Sequence, residues 1–305
     1  MAPSPTPSQR NARDTRSFVP TLHTDVYPSI DPSTESLPQP FTVVVLGGSG
    51  AVGAALARSY TLAGATGLVL AARRLPVVED VANEAKSINP DIKTLAMQCD
   101  VSSASDVAAV ASVTKAQFGN TVGAVIVNAG YTGVLNNDIT LEDVEEMETA
   151  FRVNTLGTAY AGKYFIPLLN ESINKTRVFI GISSMSTPTI TSPTAHVHYC
   201  SSKFAQVRVV EMINEQQAKN GLFVASVHPG GINSDFANGM PDHLKALLTD
   251  SPNLPGAFCV WLTQNQERVK DLSGRFLSSK WDVDEMLGKA DDIVEHDLLK
   301  ARFAV

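Results

Sequence analysis

Three cysteines, Cys99, Cys200 and Cys259, are few, widely spaced and odd in number, and no Cys-x-x-Cys or Cys/His ligand spacing accompanies them. Neither a disulfide framework nor a zinc site is expected, no metal is assigned, and a reducing compartment fits this usage. No apolar run of about 18 residues occurs, which excludes a membrane-spanning helix. Positive charge is in deficit: 24 Lys and Arg face 31 Asp and Glu, a net charge of -7. That balance argues against nucleic acid or an anionic membrane as partner, while leaving room for a local basic site for one small anion. The N-terminus lacks the apolar core of a secretory signal. Arg10, Arg13 and Arg16 stand among serines as in a mitochondrial presequence, but Pro3, Pro5 and Pro7 oppose the amphipathic helix such a sequence needs. The expected location is cytoplasmic.

A hydrophobic content of 44% over 305 residues is enough for one large core. Residues 1–40 are proline-rich with little apolar periodicity and read as an extended arm that wraps the domain or stays mobile, without a core of its own and dispensable for chemistry. From Phe41 the pattern alternates. Short apolar, β-branched runs at Thr42–Leu46, Leu68–Ala71, Thr94–Met97, Gly123–Val127, Arg177–Ile182 and Leu222–Val227 predict strands. Helices are predicted from Ala51, over Val77–Ile88 up to Asn89-Pro90, and over Ala104–Phe118 up to Gly119. Strand and helix in alternation specify an α/β fold, a doubly wound parallel sheet in a single domain over residues 41–305. The stretch 230–255 breaks the rhythm with Asn, Gly and Pro after a strand end, and reads as a substrate lid.

Directly after the first strand comes Gly47-Gly48-Ser49-Gly50-Ala51-Val52-Gly53. Small residues here let a backbone approach a pyrophosphate, and the helix that follows presents free N–H groups to it. The spacing can be read as Gly47, Gly50, Gly53 or as Gly47, Ala51, Gly53. The second strand ends in Arg73-Arg74, at the distance of about 20 residues where an NAD enzyme carries a carboxylate for the ribose 2'-hydroxyl. Two arginines in that place match the 2'-phosphate of NADP; the plainer reading is that they solvate the helix start.

Tyr199 and Lys203 are four residues apart, so on a helix they share a face. A positive charge beside a phenol favours phenolate, and a phenol tuned in this way exchanges a proton with a carbonyl or alcohol oxygen.

Together these features resemble the short-chain dehydrogenase/reductase family over about residues 41 to 280, and the tail from Val260 to Glu285 is similar to that of fungal members. Cys99-Asp100-Val101 is similar to the family's adenine contact, and Asn128-Ala129-Gly130 closes the fourth strand as in the family. Val153-Asn154-Thr155-Leu156-Gly157 resembles the segment of its catalytic asparagine, and Ile182-Ser183-Ser184 that of its catalytic serine. Pro229-Gly230-Gly231-Ile232-Asn233-Ser234 resembles the stretch that closes on the nicotinamide. The resemblance implies Tyr199 as acid/base, Lys203 as the group that lowers its pKa and holds the ribose, Ser184 on the substrate oxygen with Ser183 as the other candidate, and Asn154 positioning a water. It implies a homodimer or homotetramer as well. Two departures stand out: Ala51 replaces the usual central glycine, and the Ser184–Tyr199 interval is longer by about two residues, an insertion assigned to the loop holding Pro188 and Pro193.

The expected activity is an NADP-dependent interconversion of carbonyl and alcohol on a small organic molecule. The alternatives are a non-redox isomerase, lyase or cyclase on the same scaffold, or a cofactor-sensing binding protein. Phe236, Met240, Leu244, Leu247 and Leu248 point to an apolar ligand or to simple packing of the lid. His196 and His198 read as pocket or capping groups, His228 as structural or in contact with cofactor, and Cys200 as packing.

Overall fold

The computed structural model describes residues 17–34, 36–192 and 194–303. The expectations for Pro3, Pro5, Pro7, Arg10, Arg13, Arg16 and Pro193 lie outside these residues.

Seven strands, all parallel, form one sheet. They are β1 (Thr42–Leu46), β2 (Gly67–Ala72), β3 (Lys93–Gln98), β4 (Val122–Val127), β5 (Val178–Ile182), β6 (Phe223–His228) and β7 (Arg275–Ser278), in the order β3-β2-β1-β4-β5-β6-β7. The two-residue period of a strand explains the composition of β1: Val43 and Val45 enter one apolar layer, Val44 and Leu46 the other, so these four positions are all apolar, and the buried Thr42 at the strand start has its hydroxyl bonded to that of Thr121. The first layer packs the sheet against α1 (Ala51–Leu62) and α2 (Leu75–Ile88); the second packs it against α3 (Ala104–Phe118). The boundaries of α3 follow from its sequence. Ser103 caps it by accepting from the Asp106 N–H, and Gly119 ends it at a φ of 58°.

Further along lie α4 (Val144–Ala150), α5 (Gly157–Asn170), α6 (Val197–Gln217), α7 (Asp242–Lys245) and α8 (Asn253–Gln264). Six strands match the sequence reading to within a residue or two; β7 is an addition, since its four residues carry too little periodicity to stand out. Because β2 and β4 flank β1, the chain reverses its direction of winding between β1 and β4. A crevice opens there at the carboxyl edge of the sheet.

Of the two expectations for the segment before Phe41, its described residues follow the one that wraps the domain, and they add to its core: Val19, Ile30 and Leu37 are buried in the first apolar layer. Thr21 bonds Glu285, His23 Nε2 lies 3.0 Å from Asp282, and the Tyr27 hydroxyl donates to the Trp281 carbonyl while accepting from the Val283 N–H. The segment straps the C-terminal part of the fold to the sheet. Its apolar residues are sparse in sequence, which hides them from any periodicity.

Candidate active site

All strands run the same way, so the residues that follow β1, β4, β5 and β6 meet along one edge. Gly47 leaves β1 at a φ of +95°, and a Cβ there would lie 2.4 Å from the Ala129 nitrogen; one on Gly53 would lie 2.2 Å from the Gly47 oxygen. Both positions therefore require glycine. Gly50 has open space around it, while Ala51 is an exposed first helical residue, which explains why the turn accepts a methyl group at that place. Ser49 and Val52 are half-buried beside it. The Asn128 side chain donates to the Gly47 carbonyl at 2.8 Å and so pins the turn to the end of β4. No side chain caps α1 and no acidic residue stands in its first turn, which leaves its N–H groups and positive dipole end available to an anion. The donor chemistry and the space at Gly50 fit a dinucleotide pyrophosphate.

At the end of β2, Arg73 and Arg74 are both exposed. Arg74 reaches Asp235 of the lid at 3.6 Å. Arg73 acts on the Tyr131 phenol, whose pKa burial and the hydrogen bond to Glu146 nonetheless push up to about 12. Asp100 spends its carboxylate on the backbone and hydroxyl of Ser102, at 2.9 and 2.7 Å. Val101 is buried, and a Cβ on Gly157 would lie 3.0 Å from its Cγ2.

Between α4 and α5 the helix widens into a π turn, Phe151–Leu156, a local form that often marks a functional position. It carries Asn154, fully buried, whose amide bonds both the N–H and the carbonyl of Tyr131 and donates to Ser202 Oγ at 2.9 Å. After β5, Ser183 is buried with its hydroxyl 3.3 Å from Thr187 Oγ1, whereas Ser184 Oγ accepts from the Ser186 N–H at 3.1 Å. Burial pushes the Tyr199 pKa up to about 12, and the nearby Ser184 side chain opposes that shift. Lys203, one turn further along α6, is buried too, and loss of hydration brings its pKa down to about 7. Its Nζ donates to the Ile182 carbonyl at 2.8 Å and to Gln206 Oε1 at 3.1 Å. The sequence assigns the lowering of the phenol pKa to Lys203. In the structure the lysine nitrogen is bonded to two neutral acceptors, the Ile182 carbonyl and Gln206 Oε1.

Under the site lie His196 and His198, read from the sequence as pocket or capping groups, together with Glu142 and Gln206, which the sequence reading missed. His198 is fully buried, with Nδ1 2.8 Å from Glu142 and Nε2 2.8 Å from the Thr132 carbonyl. His196 shares that carbonyl at 2.9 Å and stacks on Tyr199, with ring centroids 5.2 Å apart. Burial lowers the His196 pKa, which favours the neutral ring. The two histidines thus tie the start of α6 to the loop after β4. His228 accepts from the Met185 N–H through Nδ1, and Cys200 is buried with its thiol pushed up to about 11. Glu142 has no motif around it, whereas Gln206 follows Lys203 at helical spacing and was open to detection on that ground.

The stretch after β6 turns at Gly230 and is closed at its base by Asp250, whose N–H donates to the Gly231 carbonyl and whose carboxylate accepts from the Gly231 N–H and from Lys280. Ile232 pairs with Thr249, and the Ser234 carbonyl accepts from Ala237. Pro229 is half-buried at the strand end. Beyond this neck, Phe236 lies edge-on to Tyr199 at 5.9 Å and would touch a Cβ on Gly130 at 3.2 Å. Leu244 packs inward and Leu247 is exposed. Among the described residues, no helix is long and apolar enough to cross a membrane.

A sequence model described as short chain dehydrogenase matches residues 41–245. The chain is 30% identical over 296 residues to the short chain dehydrogenase pgmD of Aspergillus terreus, covering 94% of each protein. It is 29% identical over 298 residues to andI of Emericella variicolor, covering 95% of this chain and 97% of the relative. In fold it is similar to a short-chain type dehydrogenase/reductase from Mycobacterium ulcerans, with a TM-score of 0.71, 18% identity and coverage of 83% and 91%. A 3-oxoacyl-[acyl-carrier protein] reductase from Brucella melitensis aligns with a TM-score of 0.69, 20% identity and coverage of 84% and 95%.

Proposed function

Because the chain belongs to the short-chain dehydrogenase/reductase family, we propose that it interconverts a carbonyl and an alcohol on a small, apolar organic molecule with NADP as the preferred cofactor. The observation that carries this reading is the pair Tyr199 and Lys203, both buried one turn apart on α6, at the carboxyl edge of the sheet where β5 ends and the Ile182 carbonyl accepts from the lysine.

The cofactor, when bound, supplies or accepts the hydride. The chain does the rest. Gly47, Ser49, Gly50, Ala51, Val52 and Gly53 would hold the pyrophosphate on the end of α1, and Arg73 and Arg74 would meet the 2'-phosphate. Asp100 and Val101 border the adenine end. Asn128, Ala129, Gly130 and Lys203 border the nicotinamide ribose, and Pro229, Gly230, Ile232 and Ser234 support the nicotinamide. Tyr199 gives a proton to the substrate oxygen in reduction and takes one in oxidation; at neutral pH a phenol held near pKa 12 is in the donor form, which favours reduction. Ser184 holds the same oxygen. Asn154 would position a water in the proton relay. Phe236, Leu244 and the stacked His196 line an apolar wall. The family resemblance supports a homodimer or homotetramer, which light scattering of the full chain tests, and a cytoplasmic location fits the cysteine usage.

Anaerobic incubation with NADPH and a panel of carbonyl compounds, followed at the nicotinamide absorbance band, tests the reading. Oxidation of NADPH with one or more apolar carbonyls is the expected result. Tight retention of NADPH with no oxidation across a broad panel would move the assignment to a non-redox reaction or to cofactor sensing.

A further inference from the structure

Gln206 is completely buried in α6, on the turn after Lys203. A buried amide is costly unless each of its polar atoms is bonded, and a methionine would fill similar volume without that requirement. Both ends of this amide are bonded. Oε1 accepts from Lys203 Nζ at 3.1 Å, and Nε2 donates to Thr158 Oγ1 at 2.9 Å. The threonine hydroxyl in turn donates to the Asn154 carbonyl at 3.0 Å. Every donor in this series points the same way, from lysine through glutamine and threonine to the asparagine backbone, so the orientation of the amide is determined by its partners. Gln206 therefore joins three of the segments that build the site: α6, the start of α5 and the π turn.

The consequence falls on Lys203. Ile182 O and Gln206 Oε1 take two of the directions around Nζ, and the nitrogen also lies 3.5 Å from where a Cβ on Gly130 would stand. We propose that Gln206 is a positioning residue for the reaction: clamped through Thr158 to Asn154, it fixes the Lys203 nitrogen so that its remaining direction serves the cofactor ribose and the proton path. This rests on the assignment of Lys203 to the active site in the preceding section. Gln206 is not a proton carrier, because an amide neither gains nor loses a proton readily near neutral pH. The groups bonded to the lysine nitrogen, Gln206 Oε1 from α6 and the Ile182 carbonyl from β5, do not titrate, and neither does Gly130 after β4; Tyr199, one turn earlier on α6, does. A neutral acceptor at position 206 holds the lysine without adding charge, which is consistent with its pKa of about 7.

Four variants of the full chain test this: Gln206→Met, Gln206→Glu, Thr158→Val and Thr158→Ser. The first readout needs no cofactor. The lysine side chains are labelled with ¹³C at Cε and titrated by NMR, and the Lys203 signal is identified by its loss in Lys203→Met. Gln206→Glu should raise the Lys203 titration by at least about one pH unit, since a carboxylate beside an ammonium favours the charged form. The second readout is kcat and KM against pH with NADPH and the best carbonyl of the panel. Gln206→Met should lower kcat by roughly 10- to 100-fold with KM little changed, the size expected for a misplaced reacting group. Thr158→Val should follow it, Thr158→Ser should restore the rate, and the lysine-dependent break in the Gln206→Glu profile should move to higher pH.

An unmoved Lys203 titration in Gln206→Glu overturns the proposal, as do wild-type kcat values in both Gln206→Met and Thr158→Val. Tyr199→Phe, assayed alongside, separates the two levels. If it retains the wild-type rate, the functional assignment itself fails; if it is inactive while the Gln206 and Thr158 variants behave as wild type, only the role of Gln206 does.

Discussion

Asn154 and Tyr131 are joined twice: the Tyr131 N–H donates to Asn154 Oδ1 and the Asn154 amide donates to the Tyr131 carbonyl, each at 2.8 Å. With the further bond to Ser202, both donor hydrogens of the amide are used, and Oδ1 keeps one acceptor site. Its backbone carbonyl, bonded to Thr158, is the part that faces the lysine system. The side chain of Asn154 ties the π turn to the loop after β4.

Asn154→Ala should consequently act on stability as well as on rate. It strips partners from the Tyr131 backbone and from Ser202 in a buried place, where each unsatisfied group costs about 1–3 kcal/mol. Urea unfolding should show a loss of at least roughly 2 kcal/mol. A variant as stable as the parent would contradict the clamp.

Tyr199→Phe should reduce turnover by about 10²- to 10⁴-fold or more while leaving NADPH binding nearly intact, because the ring stays and the proton donor goes. Fluorescence titration with NADPH separates the two effects. Ser184→Ala should shift the pH dependence in a definite direction. Burial raises the Tyr199 pKa and Ser184 lowers it, so removing the serine leaves the phenol still higher. Alcohol oxidation, which needs phenolate, should then require higher pH, and an oxidation profile unmoved by Ser184→Ala would exclude the serine from tuning the phenol.

Cofactor preference should rest on Arg73 and Arg74. Replacing both with alanine should raise the NADPH dissociation constant far more than that of NADH. Asp235→Asn should do the reverse to a smaller degree, since the lid carboxylate shares Arg74 at 3.6 Å in an exposed, screened pair. Calorimetric titration with both cofactors checks this; equal affinity of the parent chain for NADPH and NADH would exclude the NADP assignment.

Shortening the chain to begin at Leu37 should be costly. It removes Val19 and Ile30, buried to within 2% of full exclusion, and burying an aliphatic side chain of this size contributes about 1.5–3 kcal/mol. A loss of roughly 3–6 kcal/mol is expected, measured by denaturant unfolding. If the shortened chain matched the full one in stability and turnover, the strap would have no structural weight.

The alternation of apolar strands with helices, the glycine turn, and the Tyr199–Lys203 pair at helical spacing were determined by local sequence, because period, turn chemistry and reach along one helix are properties of neighbouring residues. Tertiary structure alone decided what those residues touch. It turned Ser183 inward and set Ser184 near the phenol, placed Gln206 between Lys203 and Thr158, set Glu142 against His198 across 56 residues, and brought Val19 and Ile30 into the first apolar layer. The pairings of Gln206 with Thr158, of Glu142 with His198 and of Val19 and Ile30 with the sheet join segments distant in the chain, and the consequences follow from burial: loss of water raises the cost of every unpaired polar group and moves Tyr199 and Lys203 far from their ordinary pKa values. Burial belongs to the packed whole, and no local pattern carries it.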